Sequence, residues 1–235
     1  MWTDNSCAPA KRGVIVGIDP LPNLFSPLFS ADTVVVESAV HLVDDQLMPE
    51  ELGCIRQAVE RRRAQFGTGR LCARRALALL GLPVVPITVG PGGAPLWPAG
   101  AVGSITHTST YCAVAVKPTP PWRSVGLDAE DLRPIDPSIV PSVLTDSERL
   151  WLEDLPSDAR DVHALLVFSA KEAYYKLQYP LTGRFLDFHD VEIEVDQKGD
   201  AFRVRTRADV PAVLASIEGR FAFAEGKILC GIELL

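Results

Sequence analysis

Runs of β-branched residues and helical periodicities follow one another along the chain. Segments 12–18 (RGVIVGI) and 33–42 (TVVVESAVHL) are rich in Val and Ile and predict strands. Residues Asp45 to Pro49 predict a turn that opens a helix, with Pro49 in its first turn and Glu50 and Glu51 at its positive end. That helix is expected to run through a cluster of arginines to Leu80, with Gly81 as its stop. Gly67 and Gly69 interrupt it at about 1 kcal/mol each, so a kink or two helices is the alternative. Residues 83–98 hold five prolines and read as short strand plus loop, while 101–106 and 111–117 predict two strands around a His-Thr-Ser-Thr turn. Residues 1–12 read as a polar, mobile start, 118–122 (PTPPW) as a connection, and 123–128 as a further strand.

In the second half, Thr145-Asp146-Ser147-Glu148 has the pattern of a capping box. Residues 161–178 predict a helix, with Val162, Leu165, Leu166, Ala170, Ala173 and Leu177 at helical spacing and Pro180 as its end. Strands are expected at about 190–196, 201–207, 219–224 and 227–234. No sequence repeat stands out. The order of elements, a helical segment and then strands in each half, fits an α+β fold of two similar halves meeting near residue 122.

Composition narrows the class without choosing within it. The 235 residues are 47% hydrophobic and 23% charged, enough to bury a substantial core. A net charge of −7 argues against general nucleic-acid binding, which draws its affinity from a basic surface. Arginine is nevertheless clustered locally, at Arg61, Arg62, Arg63, Arg70, Arg74 and Arg75. The five scattered cysteines form no C-x-x-C pair and read as reduced thiols, with no zinc site expected. Neither a secretory leader nor a membrane-spanning run is expected, so the chain is read as cytoplasmic.

Two acidic motifs carry the candidate chemistry. In VGLDAEDL (125–132), Asp128 and Glu130 are i and i+2 on a strand and share a face. Two carboxylates side by side are unfavourable unless a cation neutralises them, and hard oxygen ligands suit magnesium. Alone, the motif reads first as a strand end running into a solvated acidic loop, since Asp131 follows directly. In FSAKEAYYK (168–176), Glu172 and Lys176 are i and i+4 on a helix, with Lys171 one residue before. This is either a routine ion pair or a carboxylate ligand with lysines reaching phosphate oxygens. His107 in SITHTST is either a solvated turn residue or a phosphate contact. Arg62 and Arg70, about two helical turns apart, can lie near one face and bind phosphate bidentately.

Taken together, these motifs resemble the 4′-phosphopantetheinyl transferases. D-A-E after a strand, then about forty residues on an F-S-x-K-E-A-x-x-K helix, is joined by RRRAQFGTGRLCARRAL (61–77), GGAPLWPAGAVGSITHT (92–108) and YPLTGRFLDF (179–188). The set resembles the single-chain bacterial group of the enterobactin-synthase component D type and its actinobacterial relatives. The resemblance implies a pseudo-twofold fold of two α+β halves, 1–122 and 123–235, with coenzyme A in the cleft between them. It implies transfer of the phosphopantetheine arm to a serine of an acyl or peptidyl carrier protein of fatty acid, polyketide, nonribosomal peptide or siderophore synthesis. Adenosine 3′,5′-bisphosphate is the implied second product.

By the same resemblance, Asp128, Glu130 and Glu172 hold magnesium, or manganese in its place. Lys171 and Lys176 touch the coenzyme A phosphates, and His107, with Thr106, lies near the 3′-phosphate and pyrophosphate. Arg62 and Arg70 grip the adenosine phosphates, and Gly92-Gly93-Ala94-Pro95 packs on the adenine. Many relatives have a lysine where this chain has Gly92 or Gly93. Glu172 or Glu130 takes the serine proton. Two rivals stay open at this point: a magnesium-dependent nuclease or phosphatase, and a non-catalytic carrier-protein-binding module of the same fold. No nucleic-acid or membrane partner is expected, and two halves in one chain make a monomer sufficient.

Overall fold

The computed structural model describes residues 21, 23–119 and 124–234. The expected start at 1–12 and strand at 12–18 lie outside these residues, as does most of the expected connection at 118–122. Two antiparallel sheets organise the chain. The first has the order β1-β3-β2, from β1 (Val34–Ala39), β2 (Ala101–His107) and β3 (Tyr111–Pro118). The second has the order β4-β8-β7-β6-β5, from β4 (Ser124–Asp131), β5 (Val191–Asp196), β6 (Ala201–Thr206), β7 (Ser216–Ala224) and β8 (Lys227–Leu234). Helix α1 (Pro49–Cys54) packs against the start of α2 (Glu60–Leu79), and α2 packs on the first sheet. Helices α3 (Val140–Val143), α4 (Asp146–Glu153), α5 (Ser157–Thr182) and α6 (Ala212–Ala215) belong to the second. The architecture is α+β, as the order of elements predicts.

Apolar clusters hold it together, the smallest of them Leu47, Ile55 and Phe66 around α1. Cys72, Ala73, Ala76 and Leu77 of α2 pack on Val114 and Val116 of β3. Leu166, Ala170, Tyr174 and Leu177 of α5 pack against the second sheet, on Cys230 and Ile232. A further cluster joins the sheets, with Phe25 and Leu28 against Ala113, Ala115, Leu127 and Leu229.

Two local expectations are corrected. The helical stretch from Pro49 divides at Ile55–Val59, not at the glycines. Gly67 and Gly69 sit within α2, where a Cβ would come within 2.8 Å of Val43 Cγ2 and 3.0 Å of Ile105 Cγ2. They are there to let α2 lie close to its neighbours, which offsets their poor helix propensity. Pro180 does not end α5. The helix continues to Thr182 and stops at Gly183, whose φ of 64° is the left-handed cap geometry that glycine adopts freely. A proline so near the end removes one backbone bond, and Thr182 bonding Gln178 and Gln178 bonding the Arg184 carbonyl secure the turn.

The absence of a repeat is the third correction. Strand order β1-β3-β2 is reproduced by β4-β8-β7, each with one long helix on it. Near the start of α1, Glu51 accepts from Met48 N and Ile87 N and pairs with Arg74, which also bonds the Gln46 carbonyl. Near the start of α4, Glu148 accepts from Thr145 N and Ile193 N and pairs with Lys171, which also bonds the Val143 carbonyl. The separation between acid and base is 23 residues in both, and that between base and carbonyl is 28 in both. Aligned this way, CARRALALL (72–80) lies on SAKEAYYKL (169–177), identical at Ala73/Ala170, Ala76/Ala173 and Leu80/Leu177.

Candidate active site

The site begins at the buried edge of the second sheet. β4 pairs only with β8, so its other edge carries unpaired backbone groups, which need partners when buried. Two hydroxyls of β2 supply them. Leu127 N donates to Ser104 Oγ (3.4 Å) and Ala129 N to Thr106 Oγ1 (3.2 Å). Ser104 and Thr106 are i and i+2, so one face of β2 zips onto β4 and joins the two halves.

Asp128 lies within this seam, 4% exposed. Its Oδ1 accepts from Lys176 Nζ at 2.6 Å and Thr106 Oγ1 at 3.2 Å, and its Oδ2 from Ser169 Oγ at 2.9 Å. Lys176 also reaches the Leu127 carbonyl at 3.3 Å. Helix α5 can bring Ser169, Glu172 and Lys176 this close because Gly126 leaves room. A Cβ at Gly126 would stand 2.0 Å from the Ala173 carbonyl oxygen.

Glu130 and Glu172 complete the acidic group. Burial and the charge of Asp128 push the Glu130 carboxyl up to about 7. Burial also raises Glu172, against the pull of Lys176. Burial depresses Lys176, but Asp128, Glu172 and Glu130 more than offset it, so its ammonium is held above the usual lysine range. Lys176 thus acts on all three carboxylates and Arg133 on Glu130, yet the two carboxyls without hydrogen-bond donors among the described residues hold their protons longer than usual. The trio is not a ready-made metal cage: no group of three His, Cys, Asp or Glu among the described residues has that geometry. Lys176 stands at the Asp128 oxygen that a cation would use.

The first half supplies the rest of the cleft. His107 ends β2, with Nε2 3.2 Å from Arg62 Nη1. Burial, Arg62 and Lys176 lower its pKa to about 4, so at neutral pH Nε2 accepts from Arg62 and Nδ1 carries the proton. That Nδ1 is buried and has no partner among the described residues. Arg62 is exposed but Arg70 is buried: its guanidinium lies 3.8 Å over the Phe66 ring, its Nε donates to the Ile87 carbonyl, and burial lowers its pKa to about 10. The loop at Gly92–Pro95 forms one wall of a cavity of about 210 Å3, with Glu172 and Lys176 opposite. A second cavity of about 300 Å3 shares Gly92, Glu172 and Tyr175 with it and adds the apolar Phe185, Leu186, Phe188 and Val191 beside Lys171 and Asp187.

Comparison with known proteins gives this cleft a family. Residues 49–117 match the 4′-phosphopantetheinyl transferase N-terminal domain, and residues 124–223 match the 4′-phosphopantetheinyl transferase superfamily. The chain is 42% identical over 193 residues to the 4′-phosphopantetheinyl transferase Svp of Streptomyces mobaraensis, covering 80% of this chain and 78% of that protein. It is 37% identical over 200 residues to PptT of Mycobacterium tuberculosis, covering 80% and 86%. Enterobactin synthase component D of Salmonella typhi is 35% identical over 127 residues, covering 52% and 50%. The chain belongs to the 4′-phosphopantetheinyl transferases. It is an enzyme of phosphopantetheinyl transfer to carrier proteins, with coenzyme A as substrate.

In this transferase the site residues expected from sequence divide into three sets. Asp128, Lys176, Thr106 and Glu172 come together at the seam, with Glu130 within reach of their charges. Arg62 and His107 meet beside it. Lys171 departs from expectation. It is 2% exposed, and its ammonium donates to Val143 O (2.8 Å), Glu148 Oε2 (2.7 Å) and Phe188 O (2.9 Å). With all three donors used inside the protein, it has none for a phosphate. Arg70 is likewise engaged inside its own half. Sequence reading missed Ser169 and Ser104; only the position of Ser169, one turn before Glu172, hinted that it shares that face of α5. No described helix is long and apolar enough to cross a membrane.

Proposed function

We propose that this enzyme is magnesium-dependent, using Asp128, Glu130 and Glu172 as ligands, with manganese as a substitute. It moves the 4′-phosphopantetheine arm of coenzyme A to a serine of acyl or peptidyl carrier domains and releases adenosine 3′,5′-bisphosphate. The observation that carries this reading is the charge imbalance at the seam: three carboxylates from a strand and the helix facing it, with Lys176 as the cation that acts on all three and Arg133 acting on Glu130. Hard oxygen donors and two carboxyls with raised pKa fit a divalent cation. Bound there, magnesium would neutralise charge on the pyrophosphate and on the leaving group.

The chain's own residues do the rest. Lys176 turns from Asp128 toward the pyrophosphate, trading one anionic partner for another. Arg62, with His107 beside it, receives the adenosine phosphates, and the Gly92–Pro95 loop packs on the adenine. The apolar cavity of Tyr175, Phe185 and Leu186 shelters the pantetheine arm from water. Glu172 takes the serine proton as the hydroxyl approaches the β-phosphorus in line, with Glu130 as the competing base. A carboxyl near 7 is well matched to that task at neutral pH. The two halves complete one cleft, so we take the monomer as the active form, working in the cytoplasm on carrier domains of polyketide, nonribosomal peptide or siderophore synthases.

The test is incubation of the purified protein with coenzyme A, magnesium and a panel of apo carriers. Intact mass of a carrier should rise by about 340 Da, the arm estimated from its formula. EDTA, Asp128→Ala and Glu172→Gln should each abolish the gain while melting stays cooperative. Transfer that persists undiminished in EDTA would refute the metal reading. No gain on any carrier would refute the substrate reading.

A further inference from the structure

The duplicated clamp is a feature that the proposed chemistry does not use. In each half a buried acid ties two backbone amides to a base on the long helix, and the base ties back to a carbonyl before the short helix. Both pairs are withdrawn from water: Glu51 and Arg74 are 0% and 5% exposed, Glu148 and Lys171 2% each. A buried ion pair is a weak source of stability, since apolar residues of similar volume often do as well or better. It is a strong source of geometry. Apolar contact alone is non-directional, so a helix held only by it can slide or roll at little cost. Three charge-assisted hydrogen bonds from one ammonium to three separate segments cannot follow such a movement.

We propose that the Glu148–Lys171 clamp is the positioning device of the active carboxylate: by pinning α5 at Lys171 it fixes the roll of the helix and so aims Glu172 into the cleft. The inference rests on the reading of Glu172 as a catalytic carboxylate. The two residues are adjacent, about 100° apart on the helix. Lys171 borders the larger cavity, but its ammonium is held by α4 and by the segments at Val143 and Phe188, whereas Glu172 lines both cavities and has no such bonds among the described residues. A roll that freed the first would carry the second off target, and a misplacement of about 1 Å can cost roughly a hundredfold in rate. The first half is an internal control. It has the same clamp, but Arg75 follows the base there instead of a catalytic carboxylate.

The experiment compares two double variants of the full chain, Glu148→Gln with Lys171→Met, and Glu51→Gln with Arg74→Met. It reads melting temperature, kcat, the KM for coenzyme A, and the rise in melting temperature on adding magnesium. Both variants should melt lower. Only the first should lose kcat, by about tenfold or more, with KM within about threefold, and only the first should lose the magnesium-induced rise. Lys171→Arg restores the base type that works at Arg74 and should retain most of kcat. It also serves if the double variant does not fold. Equal melting losses with wild-type kcat in both double variants would overturn the proposal, as would a Lys171→Arg enzyme as slow as the Glu148→Gln, Lys171→Met double variant. Inactivity of the wild-type chain would instead refute the reading of the site.

Discussion

Replacing Gly126 by alanine tests the close approach on which the site depends. The added Cβ would lie 2.0 Å from the Ala173 carbonyl oxygen, 3.0 Å from its carbon and 3.0 Å from Leu177 Cβ. Two of the three atoms are backbone, so no side chain can swing aside. Contacts of this kind are not found below 3.0 Å, and β4 and α5 must therefore part by about 1 Å. A radial gap of that size forfeits a quarter to a half of the dispersion well for each contact along the seam. Overpacking of this severity costs about 3 kcal/mol, the upper part of the usual range. For a chain of this length the melting temperature should fall by about 6–12 °C. The same movement separates Asp128 from Ser169, Glu172 and Lys176, so single-turnover transfer to a carrier should slow by roughly a hundredfold. Gly53→Ala is the matched control. It lies in α1 with nothing within 4 Å of its Cβ and should gain up to about 1 kcal/mol from helix propensity. The two are compared by circular-dichroism melts and by stopped transfer reactions. A Gly126→Ala enzyme that melts within about 2 °C of wild type and keeps its transfer rate would refute the reasoning.

Three further outcomes follow from the same geometry. Lys176→Met leaves Asp128 buried beside two carboxylates without a cation. With the lysine side chain 27% exposed, the loss is discounted from the fully buried case to about 2–3 kcal/mol, measured by urea unfolding in EDTA; an unchanged midpoint would contradict it. Glu130→Gln isolates the raised carboxyl. The unfolded glutamate loses its proton near 4.5 and the native one near 7, so the native state binds more protons between those values and wild type loses stability there as pH rises. His107, lowered to about 4, acts in the opposite sense up to about 6.5. The stability advantage of Glu130→Gln over wild type cancels that contribution; it should grow from near zero at pH 4.5 to on the order of 3 kcal/mol above pH 7, and a difference that stays flat would be contrary. Gly92→Lys adds the lysine that the family resemblance leads one to expect in this loop, yet its Cβ would meet the Tyr179 hydroxyl at 2.4 Å on a backbone with φ of 63°. Calorimetry should therefore show weaker coenzyme A binding, not tighter, and Tyr179→Ala in the same chain should recover part of the loss.

What was legible in the sequence was what local spacing encodes. Val34–Ala39, Ala101–His107 and Tyr111–Pro118 announce themselves by β-branched and apolar runs, and α5 by its apolar period. Asp128 and Glu130 declare a shared face because β4 has period two. What local spacing cannot encode is the partner of a side chain across the fold. Lys171 looks like Lys176 on paper, five residues away on one helix, but its acid is Glu148, supplied by another helix. Arg70 looks like Arg62 until Phe66 and the Ile87 carbonyl are seen to claim it. Gly67 and Gly69 read as breakers because propensity is local, whereas the contacts that make them useful come from Val43 and Ile105. The repeat is faint in the sequence because the identities lie at a few inward-facing positions such as Ala73/Ala170 and Ala76/Ala173.

That pattern of loss says how the site arose from the fold. Pairing places Ser38 opposite Cys112 in the first sheet as Asp128 lies opposite Cys230 in the second. On the helices, Cys72 lies beside Cys112, raising its thiol pKa, where Ser169 lies beside Cys230. Carried along each element, this register matches Val40 with Glu130, Arg75 with Glu172 and Leu79 with Lys176. The first half thus has the scaffold of the site without one of its charges: serine, valine, arginine and leucine stand where the second has aspartate, glutamate, glutamate and lysine. The clamp and the small inward residues, Ala73 and Ala76 against Ala170 and Ala173, are common to both. The geometry therefore belongs to the duplicated framework and the chemistry to four substitutions on it. Introducing acids at Ser38 and Val40 alone would create a second charged seam with no lysine to balance it. Such a variant should lose stability on neutralisation of the medium from pH 4 to 7, as buried carboxyls are forced to ionise, and a melt that stays insensitive to pH over that interval would show that the two halves are not equivalent in the way their register indicates.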